Sequence, residues 1–250
     1  MNLKNKYENS IINIKNRQIL ILKYNNCNNI IIKFLDTNTI LKTTLRSIKN
    51  ESIKDPYYPS VYGVGFFGIG KYKSRENSKS KQTRCYKIWK EILNRCYNKK
   101  CKSYKNYGNI GVKMCDEWLN FQNFADWYYN NYKNNNFCLD KDLLVKNNKI
   151  YSPSTCCFIP ICINNLLTKR QNFRGKYPIG VRNGNNIIQS QINFMGKKKH
   201  IGSFKNDIDA FNAYKTEKEK CIKLYADKYK NELDKSVYNA LYNYKVEIND

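Results

Sequence analysis

The stretch from Tyr177 to Tyr214, YPIGVRNGNNIIQSQINFMGKKKHIGSFKNDIDAFNAY, most constrains how this chain can fold. Apolar and polar residues alternate from Ile188 to Asn193, so a strand there directs Ile188 and Ile192 to one side and the amides Gln189, Gln191 and Asn193 to the other. Turn signals at Asn183-Gly184-Asn185 and Met195-Gly196-Lys197 predict three short antiparallel strands, with a meander as the simplest topology. Asn206 suits a helix N-cap. Ala210, Phe211, Ala213, Tyr214 and Cys221 follow at helical spacing, and the two alanines let that helix lie close against the sheet.

Charge narrows the partner. The 250 residues carry 45 Lys and Arg against 20 Asp and Glu, a formal charge of +25. Such an imbalance exceeds what solubility needs and points to a polyanion, nucleic acid by default. No acid occurs between Asp142 and Asp207, a run that holds 11 Lys and Arg and includes the amide-bearing strand. No run approaches the ~18 apolar residues of a membrane span, and no signal-peptide core opens the chain, so neither a membrane nor secretion is expected.

Ten cysteines invite a disulfide or zinc reading. No CxxC pair occurs, Cys156 and Cys157 are adjacent, and His200 is the only histidine, so no spacing matches a structural zinc site. Reduced thiols acting as small apolar side chains fit better, in a reducing, DNA-containing cytoplasmic compartment.

The rest of the chain reads as α+β. Ile-rich runs at 19–22 and 30–34, with turns at Asn25–Asn29 and Asp36-Thr37-Asn38, predict a small N-terminal β unit over residues 1–73. The glycines of VYGVGFFGIGKY, 61–72, exclude a helix and suit an extended arm or turn. The polar stretch Ser74–Lys81 marks a linker or exposed hairpin. Thr83 then caps a helix bearing Tyr86, Trp89, Ile92, Leu93, Cys96 and Tyr97, and a second helix runs from about Glu117, their aromatic stripes being core. Lys99–Lys105 is a basic loop between them. In LDKDLLVKNNKIYSPSTCCFIPICINNL, 139–166, apolar runs at Leu143–Val145 and Cys156–Ile159 flank a turn at Asn147-Asn148, and a helix starts at Asn164: strand, turn, strand, helix. A last helix is expected over Leu233–Ile248, capped by Asp234.

Two resemblances sharpen these expectations. YPIGVR at 177–182, KHIGSF at 199–204 and DAFNAY at 209–214 resemble the ethylene-response-factor (APETALA-type) DNA-binding domain, also found in phage and mobile-element nucleases. That family lays its three-stranded sheet in the major groove, which implies a reading face of Arg182, Gln189, Gln191, Lys198 and His200, with Asn193 added. The family's tryptophans are absent, His200 standing at one such place, so its target sequence does not transfer.

RCY at 95–97, the tract Cys115–Phe124, LDKD at 139–142 and NKIYSP at 148–153 resemble phage HNH homing endonucleases and their ββα-metal motif. The implied domains are residues 1–73, an HNH-like domain at 82–168, and a DNA-reading domain at 174–250. The resemblance puts Asp140 and Asn164 on the ligands of one Mg²⁺, and Lys141 where the general-base histidine belongs, with Asp142 able to orient a metal-bound water. A free lysine titrates near 10.4 and is neutral at pH 7 in on the order of one molecule in a few thousand. Lys141 is therefore a poor base that suits a phosphate better. Three readings follow: a sequence-preferring duplex-DNA-binding protein whose nuclease site is degenerate, with Asp140, Lys141 and Asp142 a solvated charge cluster; a working Mg²⁺-dependent nickase; and, more weakly, an RNA binder.

Overall fold

A computed structural model describes residues 3–77, 79–168, 176–184 and 187–250. The chain divides into two compact units, one ending at Tyr128 and one running from Tyr129 to Asp250.

The first unit opens with α1 (Leu3–Tyr7) and an antiparallel meander: β1 (Ile11–Ile14), β2 (Arg17–Asn26), β3 (Asn29–Phe34) and β4 (Ile40–Thr43), followed by α2 (Leu45–Lys49). This is the small β unit expected, with its hairpin at Cys27-Asn28 between paired Asn26 and Asn29. Ile30, Ile32 and Phe34 alternate inward from β3 and meet Ile14, Ile19, Ile21 and Tyr24, with Leu45 and Ile48 closing one side. Arg17 fixes the outer edge. Its guanidinium lies 4.3 Å from the Phe34 ring centroid and 4.2 Å from that of Tyr58, and it donates to Asp36 at 2.6 Å and to Asp55 at 2.5 Å.

The glycine-rich stretch is an arm laid on helices. α3 (Arg84–Tyr97) begins at Thr83, whose Oγ1 accepts from the Tyr86 amide at 3.3 Å. A two-residue strand, β5 (Lys113–Met114), precedes α4 (Asp116–Leu119) and α5 (Phe121–Asn131). The single helix expected from Glu117 is thus broken at Asn120, and the arm is the reason. The Phe66 amide donates to the Leu119 carbonyl and the Phe121 amide donates to the Phe66 carbonyl, both at 2.9 Å, which forces Asn120 into extended backbone. Buried Gln122 staples the arm further, donating to the Tyr72 carbonyl and accepting from the Tyr72 amide, each at 3.0 Å. Gly65 is required here, since a Cβ would strike Leu93 and Trp89.

In the second unit, β6 (Phe137–Asp140), the short β7 (Ile150–Tyr151), β8 (Cys157–Pro160) and α6 (Ile161–Leu167) come first. β6 pairs antiparallel with β8, Asp140 opposite Cys157. A strand–strand–helix order is present, but its first strand is not Leu143–Val145, which forms bends. The strand ends earlier because the Asp140 side chain accepts the amides of Asp142 and Leu143 and so turns the chain away.

The C-terminal sheet has the order β11-β10-β9, from β9 (Val181–Gly184), β10 (Ile187–Phe194) and β11 (Lys197–Phe204). It packs on α7 (Asp207–Lys228), where the Asn206 side chain accepts from the Asp209 amide at 2.8 Å. Ile179, Val181, Ile192, Ala210, Phe211, Tyr214, Cys221 and Val246 form the core between them. Fully buried Ala210 gives the close approach expected. The last helix, α8 (Lys235–Tyr242), is shorter than the predicted Leu233–Ile248, because the following segment leaves to bury Val246, whose amide donates to Glu219 at 3.0 Å. Asp234 holds the capping position without capping; its carboxylate pairs with Lys133 at 3.3 Å.

All ten cysteines are free thiols and five are buried. Burial pushes Cys85 and Cys156 up to about 12 and Cys221 to about 11, so these behave as small apolar side chains. Among the described residues no helix is long and apolar enough to cross a membrane.

Candidate nucleic-acid interface

The three-stranded sheet sorts its side chains by parity. Along β10, Ser190 and Ile192 are buried toward α7, while Gln189, Gln191 and Asn193 point the other way. Their partners share that outer face: Arg182 and Ser203 opposite Gln189, His200 opposite Gln191, and Lys198 opposite Asn193. All six residues expected to read DNA are therefore on one side, with Ser203 as a neighbour that the resemblance did not supply. Arg182, Asn193, Lys198 and His200 are exposed, and Gln189 and Gln191 half-buried.

Strict alternation would not have put His200 there. A bulge between Ser190 and Gln191 makes β11 skip Ile201, so the pairing runs Ser190 with Gly202 and Gln191 with His200. Ile201 stays against the core while His200, two places from Gly202, turns outward. Lys199 confirms the parity from the other side: it reaches toward α7 and pairs with Glu217 at 2.8 Å. The connecting turn uses Met195 at φ 51° and Gly196 at φ 75°, the two positive angles that a two-residue hairpin needs to match strand twist. The predicted turn before β10 differs: Asn183 and Gly184 belong to β9, and Asn185 lies outside the described residues.

Within the face, Arg182 Nη2 donates to Gln189 Oε1 at 2.8 Å, which engages the acceptor of that amide and leaves its NH2 group as the remaining donor. Gly184 makes room for this pair, since a Cβ there would lie 2.9 Å from the Gln189 side chain. No carboxylate among the described residues pairs with Arg182, Lys198 or His200. Three strands spaced ~4.8 Å apart put the outer axes about 10 Å from each other. A B-form major groove is about 12 Å wide.

The strand–strand–helix segment is built differently. Asp140 Oδ1 accepts from the amides of Asp142 at 2.9 Å and Leu143 at 2.7 Å; burial raises its pKa, while those two donors pull the other way. Lys141 is not part of a solvated charge cluster, because its side chain is only 10% exposed. Its ammonium donates to Asp142 Oδ1 and to the Asn148 carbonyl, both at 2.6 Å. Asn148 answers by donating to the carbonyls of Lys141 at 3.0 Å and Ile150 at 2.6 Å. Lys141 and Asn148 thus clip the loop between β6 and β7. Thr155 and Ser154 serve turn geometry, Thr155 donating to the Ile150 carbonyl at 2.7 Å and Ser154 meeting Ser152 at 3.1 Å.

Asn164 lies within α6, where its backbone carbonyl accepts from Thr168. Of the two ligands that the resemblance implies, Asp140 keeps Oδ2 unengaged among the described residues, and Asn164 is half-buried in the helix. Mg²⁺ accepts as few as one or two protein carboxylates when waters and phosphate oxygens complete its octahedron. Among the described residues no group of three or more His, Cys, Asp or Glu converges on a metal position. Comparison with family models, curated proteins and solved structures finds no match to this chain.

Proposed function

We propose that the protein binds double-stranded DNA with sequence preference, laying the outer face of β9, β10 and β11 in the major groove. The observation that supports this most is the gathering of Arg182, Gln189, Gln191, Asn193, Lys198 and His200 on one face, where no carboxylate among the described residues pairs with Arg182, Lys198 or His200. Arg suits guanine, and Gln or Asn suits adenine, each good bidentate pair discriminating by roughly 1–3 kcal/mol. Lys198 and the surrounding positive charge supply phosphate contacts and make affinity fall with salt. Selection of bound duplexes from a random pool tests the reading. Substituting Arg182, Gln189 and Gln191 together by Ala flattens the selected preference more than it lowers total binding; an unchanged motif refutes this face as the reader.

A Mg²⁺-dependent nickase is the second reading. It is favoured by Asp140 closing the first strand of a strand–strand–helix segment with Oδ2 unengaged by the protein among the described residues. Against it stands Lys141, held by Asp142 and Asn148 where a base would be needed. Nicking of a supercoiled plasmid that requires Mg²⁺ and disappears in Asp140→Ala would establish this activity, and its absence leaves binding alone.

A further inference from the structure

A second acid-free tract lies in the first unit. Between Glu91 and Asp116 there is no carboxylate, while Arg95, Lys99, Lys100, Lys102, Lys105 and Lys113 all fall inside. The five lysines are exposed, and none of them pairs with a carboxylate among the described residues.

This tract is shaped rather than loose. After α3 the chain winds into two 3-10 turns, Tyr104–Asn106 and Gly108–Ile110, closed by bonds from the Tyr104 amide to the Cys101 carbonyl at 2.9 Å and from the Val112 amide to the Tyr107 carbonyl at 3.0 Å. Tyr97 anchors the far end, its hydroxyl accepting from the Met114 amide at 3.0 Å. Arg95 lies 5.1 Å from the Tyr107 ring centroid. Gly108 fits where a Cβ would strike the Cys96 carbonyl and the Tyr104 ring, and Gly111 turns the chain at φ 84°. A rigid loop that holds like charges together without counter-charges works against its own stability through self-repulsion. A polyanion relieves that repulsion.

We infer that the loop from Asn98 to Lys113 is a second DNA-contacting surface, one that grips the phosphate backbone through Lys99, Lys100, Lys102, Lys105 and Lys113 without reading bases. The inference rests on the duplex-binding reading and assigns a separate surface to a separate task. Its exposed amides, Asn106 and Asn109, sit in separate 3-10 turns and not in a row along a strand as Gln189, Gln191 and Asn193 do, so the loop is assigned affinity and not preference.

The test measures duplex affinity against salt for the full chain, for a variant with all five lysines changed to Gln, and for one with all five changed to Arg. Each phosphate contact contributes about 0.9 to the slope of log K against log salt, so the Gln variant loses up to about 4.5 from the slope and binds at least about tenfold more weakly near 0.15 M salt. Its selected motif stays the same, its melting temperature does not fall, and the Arg variant recovers the slope. A Gln variant whose slope equals that of the unaltered chain overturns the inference while leaving the sheet reading intact. A Gln variant whose motif is lost, or that loses single-stranded RNA binding in place of duplex binding, also overturns it. Failure of the unaltered chain to bind duplex at all removes the reading beneath it.

Discussion

Replacing Lys141 by Met separates a structural clip from a functional cation. Methionine keeps most of the apolar stem, so packing is nearly conserved and the ammonium's two bonds are what is lost. The bond to Asp142 is worth ~0–1 kcal/mol, because that carboxylate is 53% exposed and screened. The bond to the half-buried Asn148 carbonyl is a charge-assisted one, worth roughly 1.5–3 kcal/mol. The expected cost is about 2 kcal/mol, a fall in melting temperature on the order of 5–10 °C for a unit of this size. Thermal unfolding and duplex binding are measured on the same preparation, binding well below the transition, where affinity changes by less than about twofold. Asn148→Ala shares the same loop, so the double substitution costs less than the sum of the two singles. An unmoved melting temperature together with lost binding or nicking would refute the clip and make Lys141 a phosphate-holding group. The same geometry explains why Lys141→His is a poor way to install a base: it removes the clip as it adds the imidazole.

Two further substitutions probe the supporting structure. Ser190 is fully buried, and its hydroxyl has no hydrogen-bond partner among the described residues, so Ser190→Ala stabilises the second unit by about 1 kcal/mol, read as a higher urea midpoint; a lower midpoint refutes this. Arg17→Met strands Asp55, whose side chain has no exposure, and costs about 3–5 kcal/mol at pH 7. Burial alone would raise the Asp55 pKa, but Thr37 and Arg17 hold it below the ordinary carboxylate value; in Asp36 the hydrogen bond from Arg17 leads a similar lowering. The stability these carboxylates give the intact protein is therefore present above about pH 4 and is lost as pH falls through their lower folded values. In Arg17→Met the stranded carboxyl takes up a proton more readily, so the destabilisation shrinks on acidification. Urea unfolding at pH 7 and pH 4 that gives equal losses contradicts the account.

Elements with strong local signals were legible in the sequence: the Ile-rich meander, α3 with Thr83, α7 with Asn206, and the three strands. What was not legible depends on partners distant in sequence. Nothing near Asn120 announces a helix break, because the cause is Phe66, and nothing marks Gln122 as the staple of the glycine arm. The run Leu143–Val145 is apolar enough for a strand, yet the Asp140 side chain captures the amides that would have continued one. The Arg17 cluster joins three stretches whose charges look unrelated along the chain. Three adjacent charges at Asp140, Lys141 and Asp142 are compatible with a solvated cluster or a phosphate-holding lysine, and the bond from Lys141 to the distant Asn148 carbonyl has no signal in the local sequence.

Folding by itself asks little of the outer face of the C-terminal sheet. Any polar residues opposite the α7 side would satisfy the alternation, and Glu, Asp, Ser or Thr would serve as well as what is there. Abundance in the chain accounts for Asn and Lys but not for the rest: there are six Gln in 250 residues, two of them on this face, and the sole histidine joins them. Reaching that arrangement takes a bulge at Ile201, since unbroken alternation would have aimed His200 at the helix. The irregularity works on both faces: it keeps Ile201 against the core and Lys199 beside Glu217, and it sets the His200 ring outward beside Gln191. The outer side is where the proposed duplex lies, and the two glutamines, Arg182 and the sole histidine gathered there, more than the Asp140 segment, carry the functional argument.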